Sequence, residues 1–195
     1  MSSVGSQVPA ARPPVIVRCT LRLEEASALD RPVRAVEPWV QRWFGTGPRG
    51  SLLRGDWLSH ALHPVLTDVA TGSWLSASIL DIVGGAHAAV AARRLVGAGL
   101  LAAGPTAWTG WAEWSAATPR DKRVGLVHAV TNGVAIGLYA ASWRARRTST
   151  GPAGPLLALA GASVAGAGAY LGGHLVAARK VASHHPAYDD RTLVT

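Results

Sequence analysis

The stretch 124–143 reads VGLVHAVTNGVAIGLYAASW and contains neither Lys nor Arg. Three further stretches, 64–84, 95–114 and 155–178, share this property, and each of the four has 20 to 24 residues. A helix needs about 20 residues to cross a hydrocarbon core of about 30 Å. All 19 Lys and Arg residues lie outside these stretches, many of them at the edges, as cations flank membrane spans. The sequence therefore predicts four membrane-spanning helices.

The connections between these stretches, 85–94, 115–123 and 144–154, are short. Short connections make consecutive helices antiparallel neighbours. We therefore predict an all-α fold, an integral membrane up-down-up-down four-helix bundle over 64–180. Both chain termini then lie at one end of the bundle, which we call the terminal face. The positive-inside rule favours cytoplasmic termini for this multi-pass protein of the plasma membrane.

The residues outside the bundle are more polar. Residues 1–30 are predicted to be largely disordered, because their first half holds Ser, Pro and Ala without an apolar run. In 31–63, apolar residues at 33, 36, 40, 43 and 44 recur at helical spacing, which indicates an amphipathic helix. This helix is expected to lie on the bilayer surface or on the mouth of the bundle. Residues 181–195 form a polar tail.

The composition excludes several classes of protein. With 49% hydrophobic and 15% charged residues, the chain as a whole is not disordered. A single cysteine, Cys19, excludes a disulfide framework and a cysteine-based zinc or iron–sulfur site. The net charge of +8 is explained by the basic residues that flank the spans. The partner that the sequence predicts is therefore the lipid bilayer and not a nucleic acid.

Ionisable residues inside the predicted spans are the candidate functional residues. An ionisable side chain in hydrocarbon costs about 2.5–3.5 kcal/mol, and it usually faces the bundle. His128 and His174 both lie about 6 Å from the terminal face at 1.5 Å per residue. Since their helices are consecutive, the two imidazoles are expected to face each other. The same end of the bundle gathers four further candidates: His60, His63, Asp68 and Glu113.

Two histidines on facing helices of a bundle can hold a b-type haem. The residues predicted to bind this cofactor are His128 and His174, with His63 able to replace either one. A transition metal is the alternative, held among His60, His63, Asp68, His128 and His174. Three further residues, Glu113, Asn132 and Tyr170, are candidates to orient the histidines or to relay protons. The simplest alternative is that the histidines only pin helices together through hydrogen bonds.

Four segments of the chain carry a resemblance to a known family. They are GDWLSHALHPVLTDVATGSW at 55–74, RVGLVHA at 123–129, LYAASW at 138–143 and GAYLGGHLV at 168–176. Over about residues 30–180 the chain resembles uncharacterised bacterial four-helix membrane proteins with a G-H-P-L-H-P-x-L-T-D signature followed by P-I-G. Here Ser59 and Ala61 replace a Gly and a Pro of that signature, and Ala70 and Thr71 replace its Pro-Ile.

The resemblance implies a redox setting, because domains of this family are often fused to, or encoded near, Rieske-type iron–sulfur proteins and cytochromes. It implies a separate iron–sulfur or cytochrome partner for this chain. Together with the residues, it predicts a redox-associated membrane protein that binds haem b and passes electrons. The alternatives are a non-catalytic membrane scaffold or subunit and a membrane metal-binding or ion-handling protein. Assembly into a homo-oligomer is compatible with each of them.

Overall fold

The computed structural model describes residues 13–182, and this part of the chain is helical throughout, without a β-strand. It contains seven α-helices: α1 Val15–Glu25, α2 Asp30–Val40, α3 Gly47–Arg54, α4 Leu62–Val83, α5 Ala89–Ala116, α6 Pro119–Thr148 and α7 Ala153–Gly173. Single 3₁₀ turns at Ser27–Leu29, Asp56–Leu58 and Ala86–Ala88 join several of them. A π-helical turn follows α2 at Gln41–Gly45, and another extends α7 at His174–Ala178.

Local sequence signals set the ends of these helices. At the start of α6, the Thr118 hydroxyl accepts a hydrogen bond from the Asp121 N–H and donates one to the Asp121 carboxylate. This arrangement caps free N–H groups of the first turn, and Pro119 occupies a position where its missing N–H costs nothing. At the end of α3, Gly55 adopts φ 79°, a left-handed conformation that glycine tolerates best.

The four long helices pack in a ring. Helix α4 packs on α5, α5 on α6, α6 on α7, and α7 returns to α4. They lie over the stretches 64–84, 95–114, 124–143 and 155–178 that the sequence predicted to be spans. Two of them, Pro119–Thr148 and the continuous helix Ala153–Ala178, are long and apolar enough to cross a membrane.

The interior of the ring contains one large aromatic contact among small residues. Trp74 of α4 stacks on Tyr139 of α6 with 4.1 Å between the ring centroids. The Trp74 indole N–H donates to the Val96 carbonyl of α5 at 3.3 Å. The remaining buried residues of this cluster are mostly alanines: Ala70, Ala77, Ala92, Ala103 and Ala158. Small side chains allow helices to approach closely in lipid as well as in water.

The segment before α4 covers the terminal face of the ring. Val33 and Val40 of α2 are buried against Trp114 of α5 and Leu126 of α6. The predicted amphipathic segment 31–63 therefore packs on the mouth of the bundle. It is divided into α2, a π-helical turn and α3, because a proline at 38 and glycines at 45 and 47 interrupt it. We call α1, α2 and α3 together the cap.

Helix α1 departs from the prediction that residues 1–30 are largely disordered. Thr20 and Glu24, four residues apart, are buried on the bundle side of α1, and α1 packs on α6. Polar contacts hold α1 against the bundle. An apolar pattern in the sequence therefore did not predict this helix. Residues 1–12 of that segment, and 183–195 of the predicted polar tail, lie outside the described residues.

Candidate functional site

Two neighbouring spaces, which share several lining residues, lie at the terminal end of the bundle. The inner cavity, about 420 Å³, lies among α4, α5, α6 and α7, and most of its lining is apolar. Its polar lining includes His63, Glu113, His128 and Asn132. The vestibule, about 660 Å³, lies nearer the cap and is lined by charged and polar residues that include Arg54, Asp56, His60, Asp121 and Arg179. Glu113 lines both spaces.

His63 enters the inner cavity from the first turn of α4. Its Nδ1 lies 2.9 Å from the Thr106 carbonyl oxygen and 3.4 Å from the Thr109 hydroxyl, both on α5. A carbonyl oxygen only accepts hydrogen bonds, so Nδ1 carries the proton and donates. The Nε2 of the neutral ring therefore keeps its lone pair.

His128 is held in the same way from α6. Its Nδ1 donates to the Gly168 carbonyl oxygen of α7 at 2.9 Å. Asn132, one turn further along α6, donates from Nδ2 to the His128 Nε2 at 3.1 Å. This hydrogen bond is compatible with the predicted role of Asn132, which is to orient the histidine. His128 has the same tautomer as His63, with Nε2 as the accepting nitrogen.

The two imidazoles lie close to each other across the inner cavity. The ring centroids of His63 and His128 are 6.3 Å apart, and the ring planes make an angle of 79°. A Cβ at Gly110 would lie 2.8 Å from Cε1 of His63, and a Cβ at Gly172 would lie 2.9 Å from Cε1 of His128. Glycine at both positions therefore makes room for the rings. We call His63 and His128 the histidine pair.

Each ring of the histidine pair has its Nδ1 fixed by a backbone carbonyl. Histidines that bind a metal usually donate Nδ1–H to a backbone carbonyl or a carboxylate, which orients Nε2 toward the metal.

His174 takes no part in this pair. Its Nε2 lies 2.7 Å from Glu24 Oε1 of α1. Gly172 faces His128, and two residues turn a helix by about 200°, so His174 lies on the other side of α7. The structure thus does not bring His128 and His174 together, although both occupy the same end of the bundle. The partner of His128 in the structure is His63, which the sequence offered as the alternative to His174.

The other predicted ligands are also dispersed. His60 lines the vestibule, and its Nδ1 donates to the Leu58 carbonyl at 3.2 Å. Asp68 is exposed on the outer face of α4, and Tyr170 is 38% exposed on α7. Over residues 13–182 no group of three or more His, Cys, Asp and Glu residues is placed to hold a metal ion. The five-residue metal set expected from the sequence is therefore not assembled.

Most charged side chains of the vestibule form ion pairs with each other. Arg54 lies 3.2 Å from Asp56, and Arg179 lies 2.8 Å from Asp121. The hydrogen bond with Asp121 raises the pKa of the Arg179 guanidinium above its usual value. Glu113 differs, because within the described chain it has no hydrogen bond or ion pair. It is a half-buried carboxyl group between a polar space and an apolar one.

Sequence reasoning did not identify Glu24, Thr106 or Gly168 as parts of these arrangements. Thr106 and Gly168 contribute backbone carbonyl oxygens, which every residue possesses, so no residue type marks them. Glu24 lies in a segment predicted to be disordered. The available signal was the spacing of two polar residues, Thr20 and Glu24, on one face of a short helix.

Comparison with known proteins adds no residue to this site. No family model matches the chain, and neither a curated protein nor a solved structure matches it.

Proposed function

We propose that α4, α5, α6 and α7 cross a lipid bilayer. Two of these helices have the length and apolar composition that a span requires. Large apolar side chains point away from the ring on the other two, among them Leu75 at 64%, Ile82 at 80% and Leu101 at 81% exposure. The ionisable Asp81 and Arg146 pair with each other inside. Apolar residues outside and paired charges inside are typical of a membrane bundle.

We propose further that the histidine pair binds a b-type haem and that the protein passes electrons through it. The observation that carries this proposal is the geometry of His63 and His128, with 6.3 Å between ring centroids and each Nδ1 held by a backbone carbonyl. A haem held by two histidines supplies one-electron exchange when it is bound. The donor and acceptor would be a separate iron–sulfur or cytochrome protein.

The surroundings of the pair suit a planar apolar group. A volume of about 420 Å³ lies within the usual size range of ligand cavities, about 300–1,000 Å³. Much of the wall consists of small or apolar residues, which include Ala103, Ala107, Ile136, Ala165 and Ala169. If His128 held a haem, the haem would replace the hydrogen bond that His128 Nε2 accepts from Asn132. His63 and His128 would keep their bonds to the carbonyls of α5 and α7.

The test is the visible spectrum of the protein purified in detergent after expression with sufficient haem. The wild-type protein is expected to show a reduced-minus-oxidised haem band, since both ligands are present. His63→Ala and His128→Ala should each reduce the bound haem at least tenfold. His60→Ala and His174→Gln are the matched controls, because these residues lie in the vestibule and beside Glu24.

Two results would overturn the haem proposal. One is a wild-type protein that folds normally and shows no haem band. The other is a band that survives His63→Ala and disappears in His174→Gln. In that case the ligands would include His174, as in the first pair expected from the sequence, and not His63 as in the pair seen in the structure.

A second candidate function is a non-catalytic membrane scaffold or subunit. The observation that favours it is that each of three histidines links two helices: His63 joins α4 to α5, His128 joins α6 to α7, and His174 joins α1 to the end of α7. A scaffold requires these hydrogen bonds and no cofactor. It predicts that His63→Ala and His128→Ala lower the unfolding temperature of protein prepared without haem, by the loss of about 1 kcal/mol per bond.

A further inference from the structure

One face of α5 leads from the vestibule to the histidine pair. Thr106, Thr109 and Glu113 are spaced three and four residues apart, so they lie along a single face of this helix. Thr106 and Thr109 contact His63 Nδ1. Glu113 lies one turn nearer the cap, at the junction where the inner cavity meets the vestibule. It is therefore placed between water-accessible space and the proposed haem ligands.

The groups around Glu113 leave its carboxyl group available for a proton. Five titratable or charged side chains share the vestibule with it: Arg54, Asp56, His60, Asp121 and Arg179. Both arginines are bound to aspartates, at 3.2 Å and 2.8 Å, and the His60 ring bonds to a backbone carbonyl. His63 and His128 line the inner cavity together with Glu113. Both histidines donate their Nδ1 protons to backbone carbonyl oxygens.

The other carboxyl groups near the bundle are unsuited to exchange a proton with the inner cavity. Asp81 is ion-paired with Arg146. Asp121 is held by Arg179 and by the Thr118 hydroxyl. Asp68 lies on the outer face of α4 and lines neither space. Within residues 13–182, Glu113 is thus the carboxyl group that lines the inner cavity without an ion pair.

We propose that Glu113 carries the proton that accompanies reduction of the site. This inference rests on the proposed haem function. One electron from a one-electron reductant adds a negative charge to an apolar cavity, where an uncompensated charge is costly. The Glu113 carboxylate then takes one proton from water in the vestibule and becomes a neutral carboxylic acid. When a one-electron oxidant removes the electron, Glu113 returns that proton to the vestibule, so charge and protons balance over the cycle.

The experiment is a redox titration of the haem-loaded protein over a range from mildly acidic to mildly alkaline pH. We expect the midpoint potential of the wild-type protein to fall as the pH rises, because reduction takes up a proton. Glu113→Gln, which has nearly the same shape, should lose at least half of that pH dependence. Asp68→Asn is the matched control, since it removes a carboxyl group that lines neither space, and it should keep the wild-type dependence.

Infrared difference spectra provide a test that does not depend on the folding of a variant. Reduced-minus-oxidised spectra of the wild-type protein should show the carbonyl stretch of a carboxyl group that becomes protonated on reduction. This band should be absent from Glu113→Gln and present in Asp68→Asn. A wild-type spectrum without the band contradicts the role of Glu113.

The failure of this inference can be told apart from the failure of the proposed function. If haem binds to the wild-type protein and Glu113→Gln keeps the full pH dependence, the proton role is wrong and haem binding stands. If the folded wild-type protein binds no haem, both proposals are overturned.

Discussion

At the scale of single residues, the position of His128 depends on the absence of a side chain at residue 172. In Gly172→Ala the new Cβ would lie 2.9 Å from His128 Cε1, which is too close for a carbon–carbon contact. The ring must move, so its bond to the Gly168 carbonyl weakens and its position in the cavity changes. We expect a cost of about 1–3 kcal/mol in stability and a severalfold loss of bound haem. Unfolding in detergent and the haem-to-protein ratio measure the two effects.

The neighbouring glycine provides the control for this substitution. A Cβ at Gly173 would have nothing within 4 Å, so Gly173→Ala should leave both the haem content and the stability close to the wild type. Equal losses in Gly172→Ala and Gly173→Ala would mean that the helix backbone, and not the contact with His128, requires glycine here.

Asp30 provides a pH-dependent contact between the cap and the bundle. Arg123 of α6 donates to its carboxylate at 2.7 Å and 3.1 Å, and also to the Glu24 carbonyl at 2.7 Å. The hydrogen bond from Arg123 lowers the pKa of Asp30 below its ordinary value of 3.8. A lowered carboxyl pKa adds stability above the unfolded-state value, and that stability is lost as the pH falls through the folded-state value. The cap should therefore loosen only below about pH 4.

A probe on Cys19 can follow that loosening, because this exposed residue is the single cysteine of the chain. The anisotropy of a fluorophore attached to Cys19 should fall as the solution is acidified. Glu24 and Glu37 of the cap also bind cations of the bundle end, so the comparison with Asp30→Asn isolates the contribution of Asp30. If Asp30→Asn titrates identically to the wild type, this contact does not hold the cap.

The residues of the site could be predicted from the sequence, but the sequence could not decide whether His174 or His63 is the partner of His128. Counting residues from the end of a span gives the depth of a side chain, because the rise per residue is fixed. That count placed His128 and His174 at one level. It does not give the direction in which each side chain points, which depends on how the helices are rotated. Close contacts at Gly110 and Gly172 set that rotation, and no pattern in the sequence identifies them as contacts.

At the scale of helices, a buried ion pair links α4 to α6 at the end of the bundle opposite the cap. Arg146 of α6 donates from Nη1 to Asp81 of α4 at 2.7 Å, and the two side chains are only 7% and 11% exposed. Ser142 of α6 donates to the Gly154 carbonyl of α7 at 2.7 Å and accepts from Arg146. One polar cluster thus joins α4, α6 and α7.

Removal of one partner should be far more damaging than removal of both. Asp81→Ala leaves a buried guanidinium group without its counter-charge, and we expect a loss of about 3–5 kcal/mol. The double variant that carries both Asp81→Ala and Arg146→Met should recover part of the lost stability, because it no longer contains an unpaired buried charge. Unfolding by a denaturing detergent, followed by helical circular dichroism, measures the three proteins.

The matched control is an exposed ion pair of the same chemistry. Arg54 and Asp56 lie 3.2 Å apart with side chains that are 24% and 49% exposed. Asp56→Ala should cost no more than about 1 kcal/mol, as is usual for exposed pairs. A loss in Asp56→Ala as large as in Asp81→Ala would show that burial is not what makes the inner pair important.

The four long helices could be predicted because long stretches without basic side chains are typical of membrane spans. The absence of basic side chains marked the four stretches, and each stretch lies on one long helix. Some helices are longer than the stretches, because turns that contain polar residues extend them. Helix α5 includes Arg93 and Arg94, and α6 continues to Thr148. Helix α1 could not be predicted in this way. Hydrogen bonds and ion pairs from His174 and Arg179 to Glu24 hold it, and they involve residues about 150 positions away.

At the scale of the whole molecule, the arrangement of the ring and the cap explains why the site lies at one end. Four helices with short connections place the cap, the connection between α5 and α6, and the end of α7 on the terminal face. The vestibule is built from these three parts. Polar groups can therefore reach the inner cavity from this end, while the core around Trp74 and Tyr139 closes the bundle below it.

The same arrangement predicts the sidedness of the protein in a membrane. If all four long helices cross, Cys19 in α1 and the connection between α6 and α7 lie on opposite sides. Ser149→Cys in a Cys19→Ala background places the single thiol in that connection, at an exposed residue. Arg120→Cys in the same background is the control, because this exposed residue lies on the same side as Cys19.

A membrane-impermeant thiol reagent applied to intact cells distinguishes the topologies. The excess of basic residues near the terminal face favours cytoplasmic termini, so the cysteine at 149 should react in intact cells. Cys19 and the cysteine at 120 should react only after the cells are opened. If only α6 and α7 crossed, the connection between them would still lie opposite the cap. Ala86→Cys, between α4 and α5, resolves that case, because it is labelled from outside only when α4 and α5 also cross.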